Sequence, residues 1–266
     1  MTDVPSFDLT AEPWIPVLDL DGRERLLTPL DVVEQADRLA TIGGELPTTG
    51  YALTRLLLAV LHRAVQGPRD GEHWRHLWEE PGLPAGAVAE YTQRWRDRWD
   101  LLHPLTPFLQ TAELRTADGK HSGLGKLIAD VPNGAPLFTT RAGRSLARIG
   151  HAEAARWLVH AQAWDISGIK TGVLDDDRTK KGKLYPLGVS WVGRTGGVLV
   201  EGRTLRDTLL LNLMPYRDEE LPLGWGRPDD DLPTWERAPL RPGPEPDTYG
   251  QPRTRPIGPA VTPPRP

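Results

Sequence analysis

The chain has 266 residues, a formal net charge of −4 and no cysteine. That length suits one large domain or two small ones. The absent thiols exclude disulfides, iron–sulfur clusters and thiolate zinc sites, and the negative balance argues against a free-standing basic glue for nucleic acid. Glycine and proline, 27 of each, favour an irregular, loop-rich protein.

In chain order, the first segment with character is "EPWIPV" (12–17). Pro13 and Pro16 push their predecessors toward extended backbone, so this segment reads as a strand with Trp14 and Ile15 buried. Asp21-Gly22 is a turn dipeptide, and residues 23–27 return as the second strand of a hairpin. In "GYALTRLLLAVLHRAV" (50–65), Leu53, Leu56, Leu57, Val60, Leu61 and Ala64 recur at helical spacing, with Arg55, His62 and Arg63 off the stripe. Val88, Tyr91, Trp95, Trp99 and Leu102 mark another helix that runs on to His103-Pro104, with Arg94, Arg96 and Arg98 facing away. A further helix spans 151–164, with Ala154, Trp157, Leu158 and Ala161 on one face. Residues 191–200 read as a strand. Thr204 and Asp207 form a capping box before "LLLNLM". Residues 239–266 hold ten prolines and almost no large apolar side chains, the composition of polyproline-like disorder.

No catalytic constellation emerges, and the chain is expected not to be an enzyme. His73 and His76 lack further metal ligands nearby and read as part of a surface helix. The serines of "GKHSG" and "AGRSLARIG" do not sit on a nucleophile elbow. Asp175-Asp176-Asp177 lacks the glycine of a calcium loop and reads as solvated charge. The glycines of "GRTGG" do not follow dinucleotide spacing. No cofactor is expected. The N-terminus carries no basic-then-apolar leader and the longest apolar run is too short for a bilayer, so a cytoplasmic, membrane-free protein is expected.

One segment departs from this blandness. Lys170, Arg178, Lys180, Lys181 and Lys183 lie within fourteen residues, interrupted by Gly168, Gly172 and Gly182. Two readings fit: a mobile solvated loop of mixed charge, or a loop whose ammonium groups neutralise phosphate while glycines let the backbone approach a groove.

A series of motifs in order resembles the CasA family, the large subunit of the type I-E CRISPR surveillance complex, Cascade. It comprises Leu9 with Trp14-Ile15-Pro16-Val17, then "HPLTPFLQT" (103–111), "KLI" (126–128), "APLFTTR" (135–141), "SGIKTG" (167–172), "LRDTLLLNLM" (205–214) and "DLPTWER" (231–237). The resemblance implies an α+β fold: a large, irregular N-terminal domain over 1–238, followed here by the proline-rich tail 239–266. It implies a CRISPR RNA-guided subunit in antiviral defence that inspects the protospacer-adjacent motif on duplex DNA and supports target binding and helicase–nuclease recruitment. Its partners would be the other Cascade subunits, the guide RNA 5′ handle, double-stranded target DNA and the helicase–nuclease effector. The Trp14 arm would anchor the domain. Phe138, Thr139, Thr140 and Arg141 match a loop that reaches the neighbouring subunit, the RNA handle and the DNA. Ser167, Gly168, Ile169, Lys170 and Gly172 match a glycine loop laid into the minor groove, where readout is degenerate. Lys180 and Lys181 extend the phosphate contacts. "RTRPIGPA" (253–260) resembles the lead-in to a family segment, but Val261 to Pro266 replace its continuation. The expected lysine finger, glutamine wedge and four-helix bundle are missing from this sequence, as in a truncated or frameshifted product. That makes a scaffold subunit that assembles without reading DNA the alternative.

Overall fold

The computed structural model describes residues 5–131, 139, 141, 146–165, 169–174, 176, 179–184, 192, 196–215 and 232–239. The proline-fenced opening forms strand β1 (Ile15–Asp19), paired antiparallel with β2 (Glu24–Leu27) in the register Ile15↔Leu27 to Leu18↔Glu24. Asp19 Oδ1 accepts the amides of Asp21 and Arg23, and Gly22 supplies the positive φ of the turn. Strand β3 (Leu39–Ile42) pairs with the other side of β1, giving the order β2-β1-β3. A proline in a central strand is ordinarily excluded because it cannot donate to the ladder. Pro16 lies just beyond the last β1–β3 pair, where only its carbonyl is used, accepting from Gly43 N at 2.8 Å. Trp14 and Ile15 are fully buried, and the Trp14 indole donates to Leu9 O.

Helix α1 (Pro29–Glu34) starts on a reciprocal capping box between Thr28 and Asp31. Helix α2 (Pro47–Val65) is the spine of the core. Its predicted stripe is buried from Leu53 to Leu61, with Ala64 partly buried, and Ala52, Leu58, Ala59 and His62 off the stripe are buried too, because β3 and neighbouring helices surround it. Helix α3 (Gly71–Glu79) buries no residue completely. The Arg206 guanidinium closes the end of α3 by donating to the carbonyls of Leu77, Trp78, Glu80 and Gly82, satisfying groups that a helix end leaves open.

Helix α4 (Ala85–Arg94) ends earlier than the sequence pattern predicts, tightening into a 3₁₀ turn at Arg96–Arg98. The tightening turns Arg98 inward, so it does not face away with Arg94 and Arg96. Its Nη1 donates to Arg237 O at 2.7 Å. Trp99 packs against Phe108 and Trp235, with ring centroids 4.7 and 5.0 Å away. Helix α5 (His151–Trp164) has the predicted bounds, but its buried residues are Ala155, Trp157, Val159, His160 and Ala163, so of the predicted face only Trp157 is buried completely. Alanine and valine at four-residue spacing let it lie close to α2. Helix α6 (Leu205–Leu211) starts at Thr204, whose hydroxyl accepts Asp207 N. The predicted strand 191–200 does not form over 196–200. Val200 is held instead by both ends of the Asn212 amide, and Val198 is 89% exposed. The fold is mixed α+β with a small sheet, as predicted. The tail from residue 240 lies outside the described residues.

Candidate nucleic-acid interface

After α5 the chain forms a two-stranded ribbon of β4 (Lys170–Thr171) and β5 (Lys183–Leu184), with Lys170 opposite Leu184. The tip is a two-residue turn: Lys180 and Lys183 exchange amide–carbonyl hydrogen bonds at 2.8 and 3.0 Å, and Lys181 and Gly182 both have positive φ. Positive φ at both central positions is the mark of a tight hairpin turn whose twist matches its strands. Gly182 adopts it freely, whereas Lys181 does so at a cost of roughly 1–2 kcal/mol. The result is that Lys180, Lys181 and Lys183 are all exposed on one short projection, and the described residues offer them no carboxylate. Ile169, beside Lys170, is 60% exposed.

Gly172 has a different role from the predicted approach to a groove. It is buried in the ribbon, where a Cβ would lie 2.3 Å from Thr179 Cγ2 and 3.1 Å from the Gly182 carbonyl carbon. Leu174 N donates to Arg115 O, tying the ribbon base to the preceding loop. Asp176 is buried, so the reading of the acidic run as solvated charge fails at that residue.

The other predicted loop behaves differently again. Arg141 is drawn into the protein: Nη1 lies 2.5 Å from Glu153 Oε1, Nε lies 3.4 Å from Asp130 Oδ2, and the guanidinium sits over the Trp157 ring at 5.6 Å. Thr139 Oγ1 accepts Arg141 N and reaches Asp130 at 3.5 Å. With an 18% exposed side chain, Arg141 is engaged by two carboxylates of the protein itself. Phe138, Thr140, Ser167 and Gly168 lie outside the described residues.

Lys170 is engaged as well, through its Nζ at 2.6 Å from Asp165 Oδ2, but both side chains remain 39% exposed. Exposed pairs of this kind contribute roughly 0–1 kcal/mol, so phosphate can exchange for the carboxylate. The attachment points of Arg141 and Lys170, Glu153 and Asp165, are twelve residues apart on and just past α5, about 18 Å along the axis.

Sequence reasoning places Ile169, Lys170, Gly172, Lys180 and Lys181 in one region, and the ribbon brings them together. It misses the hairpin that displays Lys183 with them, since Lys-Gly is a weaker turn signal than Asn-Gly. Among the described residues no cluster of His, Asp and Glu is fit to hold a metal, and no helix is long and apolar enough to cross a membrane. The His73 ring takes the Arg69 amide on Nδ1.

Together these features define a helix-rich α+β domain whose cationic display stands apart from its core. Residues 8–262 match the CRISPR-associated protein Cse1 family, and the chain belongs to that family. It is 35% identical over 248 residues to CasA/Cse1 of Thermus thermophilus, covering 91% of this chain and 44% of that protein. The crystal structure of Thermobifida fusca Cse1 superposes with a TM-score of 0.82 at 47% identity, over 91% of this chain and 45% of that one. A chain in a solved CRISPR RNA-guided surveillance complex shares the fold at a TM-score of 0.66 and 24% identity, over 88% of this chain and 47% of that one. The chain thus spans less than half the length of these relatives.

Proposed function

We propose that this chain is a subunit of a CRISPR RNA-guided surveillance complex, type I-E Cascade, in antiviral defence. In that assembly it contacts nucleic acid without cleaving it, supports recognition of the protospacer-adjacent motif on duplex DNA, and helps recruit the helicase–nuclease. Its partners are the other Cascade subunits, the guide RNA handle and the target duplex, in the cytoplasm. The observation that carries this reading is the lysine ribbon. Within a family associated with CRISPR, three exposed ammonium groups sit on a tight turn next to an exchangeable fourth, on a chain whose overall charge is negative. Such a surface binds phosphate locally and gains affinity once neighbouring subunits hold it against a backbone.

The test is reconstitution with the partner subunits and a guide RNA, followed by titration of labelled duplex across a salt series. Each phosphate contact contributes about 0.9 to the salt slope. Replacing Lys180, Lys181 and Lys183 by alanine is expected to flatten that slope by up to about 3 and leave the DNA intact in every sample. An unchanged slope removes the ribbon from the interface. The internal commitment of Arg141 favours a second reading, in which its loop serves only to hold a neighbouring subunit. Normal assembly with duplex affinity indifferent to changes at Phe138, Gly168 and the ribbon supports that scaffold.

A further inference from the structure

Asp165 occupies an unfavourable position for an acid. It is the C-cap residue of α5, with its amide bonded to Ala161 O, at the helix end where the backbone dipole and open carbonyls already present negative charge. Cations, not carboxylates, are stabilised there. Nothing in its own helix calls for an acid, but Lys170 does: its ammonium lies 2.6 Å from Asp165 Oδ2, across only four intervening residues. The pair is half open to solvent on both sides, unlike the Arg141 pairs, so it is accessible to a competing anion.

A carboxylate oxygen and a phosphodiester oxygen offer an ammonium the same hydrogen-bonding chemistry. Building on the nucleic-acid reading of the ribbon, we propose that Asp165 is a positioning residue that holds Lys170 in reserve, occupying the place a backbone phosphate takes on binding. The tip lysines, which have no such partner among the described residues, make first contact. Lys170 follows only when a phosphate comes close enough to displace the carboxylate. Asp165 thereby lowers the affinity of the ribbon for polyanions held loosely at its tip and favours a backbone seated along its length.

The test uses the full chain and a fluorescein-labelled random-sequence duplex DNA, titrated by anisotropy at low ionic strength. Asp165→Asn keeps the size and polarity of the side chain and removes the charge. It is expected to tighten binding about two- to fivefold, the range of an exposed ion pair. Lys170→Ala is expected to weaken binding, and Asp165→Asn added to Lys170→Ala is expected to change nothing further, since the carboxylate then has no ammonium to hold. An equal gain in the Lys170→Ala background would show a general charge effect and overturn the proposal, as would an unchanged or weaker Asp165→Asn. If Lys170→Ala binds like the parent while the triple tip variant loses affinity, Asp165 loses its role and the ribbon keeps its own. If neither the parent chain nor any variant binds, the same titration is run on the chain reconstituted with its partner subunits and guide RNA, and an absence of binding by the parent there makes the nucleic-acid reading fall as well.

Discussion

Arg63 and Lys170 each hold a carboxylate oxygen at 2.6 Å, yet the two pairs do opposite jobs. Arg63 on α2 meets Glu236 in two parallel hydrogen bonds, with side-chain exposures of 17% and 5%. Glu236 also accepts the Tyr91 hydroxyl, and that hydroxyl accepts the Trp235 indole. Arg98 adds two backbone carbonyls of the same segment. These polar groups satisfy one another with most water gone, so loss of any partner leaves a desolvated charge behind. Among the described residues Lys170 and Asp165 have no such support, and both side chains remain 39% exposed. Distance alone does not separate a structural ion pair from a replaceable one; burial and the surrounding hydrogen bonds do.

Four measurements probe that contrast. The largest effect is expected at Trp235, which packs against both Trp99 and Phe108. Trp235→Ala should cost about 3–5 kcal/mol in chemical denaturation, a large share of the roughly 5–15 kcal/mol typical of a domain. A loss below about 1 kcal/mol would mean that the 232–239 segment is not part of the cooperative core.

The second concerns His62, buried on α2 with Nδ1 bonded to Gly67 O. Burial pushes its pKa down to about 3, the Arg55 and Arg63 charges push the same way, and the Gly67 hydrogen bond opposes them. The folded state keeps the ring neutral while the unfolded chain takes up a proton near about pH 6.5. Its contribution is therefore whole above that pH and is lost as pH falls toward about 3. Urea midpoints measured between about pH 7 and 4 should decline, and His62→Gln should flatten the decline. That window lies above the one in which Asp8 and Asp100 become protonated. Burial would raise both of those carboxyls, but hydrogen bonds outweigh it and hold them below the usual range.

Third, Gly172→Ala would drive a methyl group into Thr179 and the Gly182 backbone. It should disorganise the ribbon and weaken duplex binding several-fold, while global stability, measured by the same denaturation, moves by less than about 1 kcal/mol. Last, alanine at Lys180, Lys181 and Lys183 together should leave the unfolding free energy within about 0.5 kcal/mol of the parent while flattening the salt slope. A large stability loss in that variant would show these ammonium groups to be structural after all.

Periodicity and turn chemistry make much of the fold legible in the sequence: the hairpin at Asp21-Gly22, the long α2, the bounds of α5 and the Thr204 cap. Local pattern misleads where tertiary partners override it. Arg98 reads as a surface arginine until Trp235 and its neighbours return from over a hundred residues away to receive it. Val198 and Val200 alternate like a strand, but among the described residues no strand comes to pair with them, and an asparagine side chain takes the hydrogen bonds instead. The candidate interface is legible as a lysine–glycine cluster. The spacing of charges on the chain says nothing about which ones fold back onto a carboxylate, so Arg141 and Lys170 look alike until Glu153, Asp130 and Asp165 are in view.

The docking of residues 232–239 onto α2 and α4 has an engineering consequence. Helix α6 and residues 232–239 are each fixed to the core, so the two moorings hold both ends of the chain that joins them. Cutting the chain between those moorings would untie the second one and free the tryptophan that packs beside Trp99.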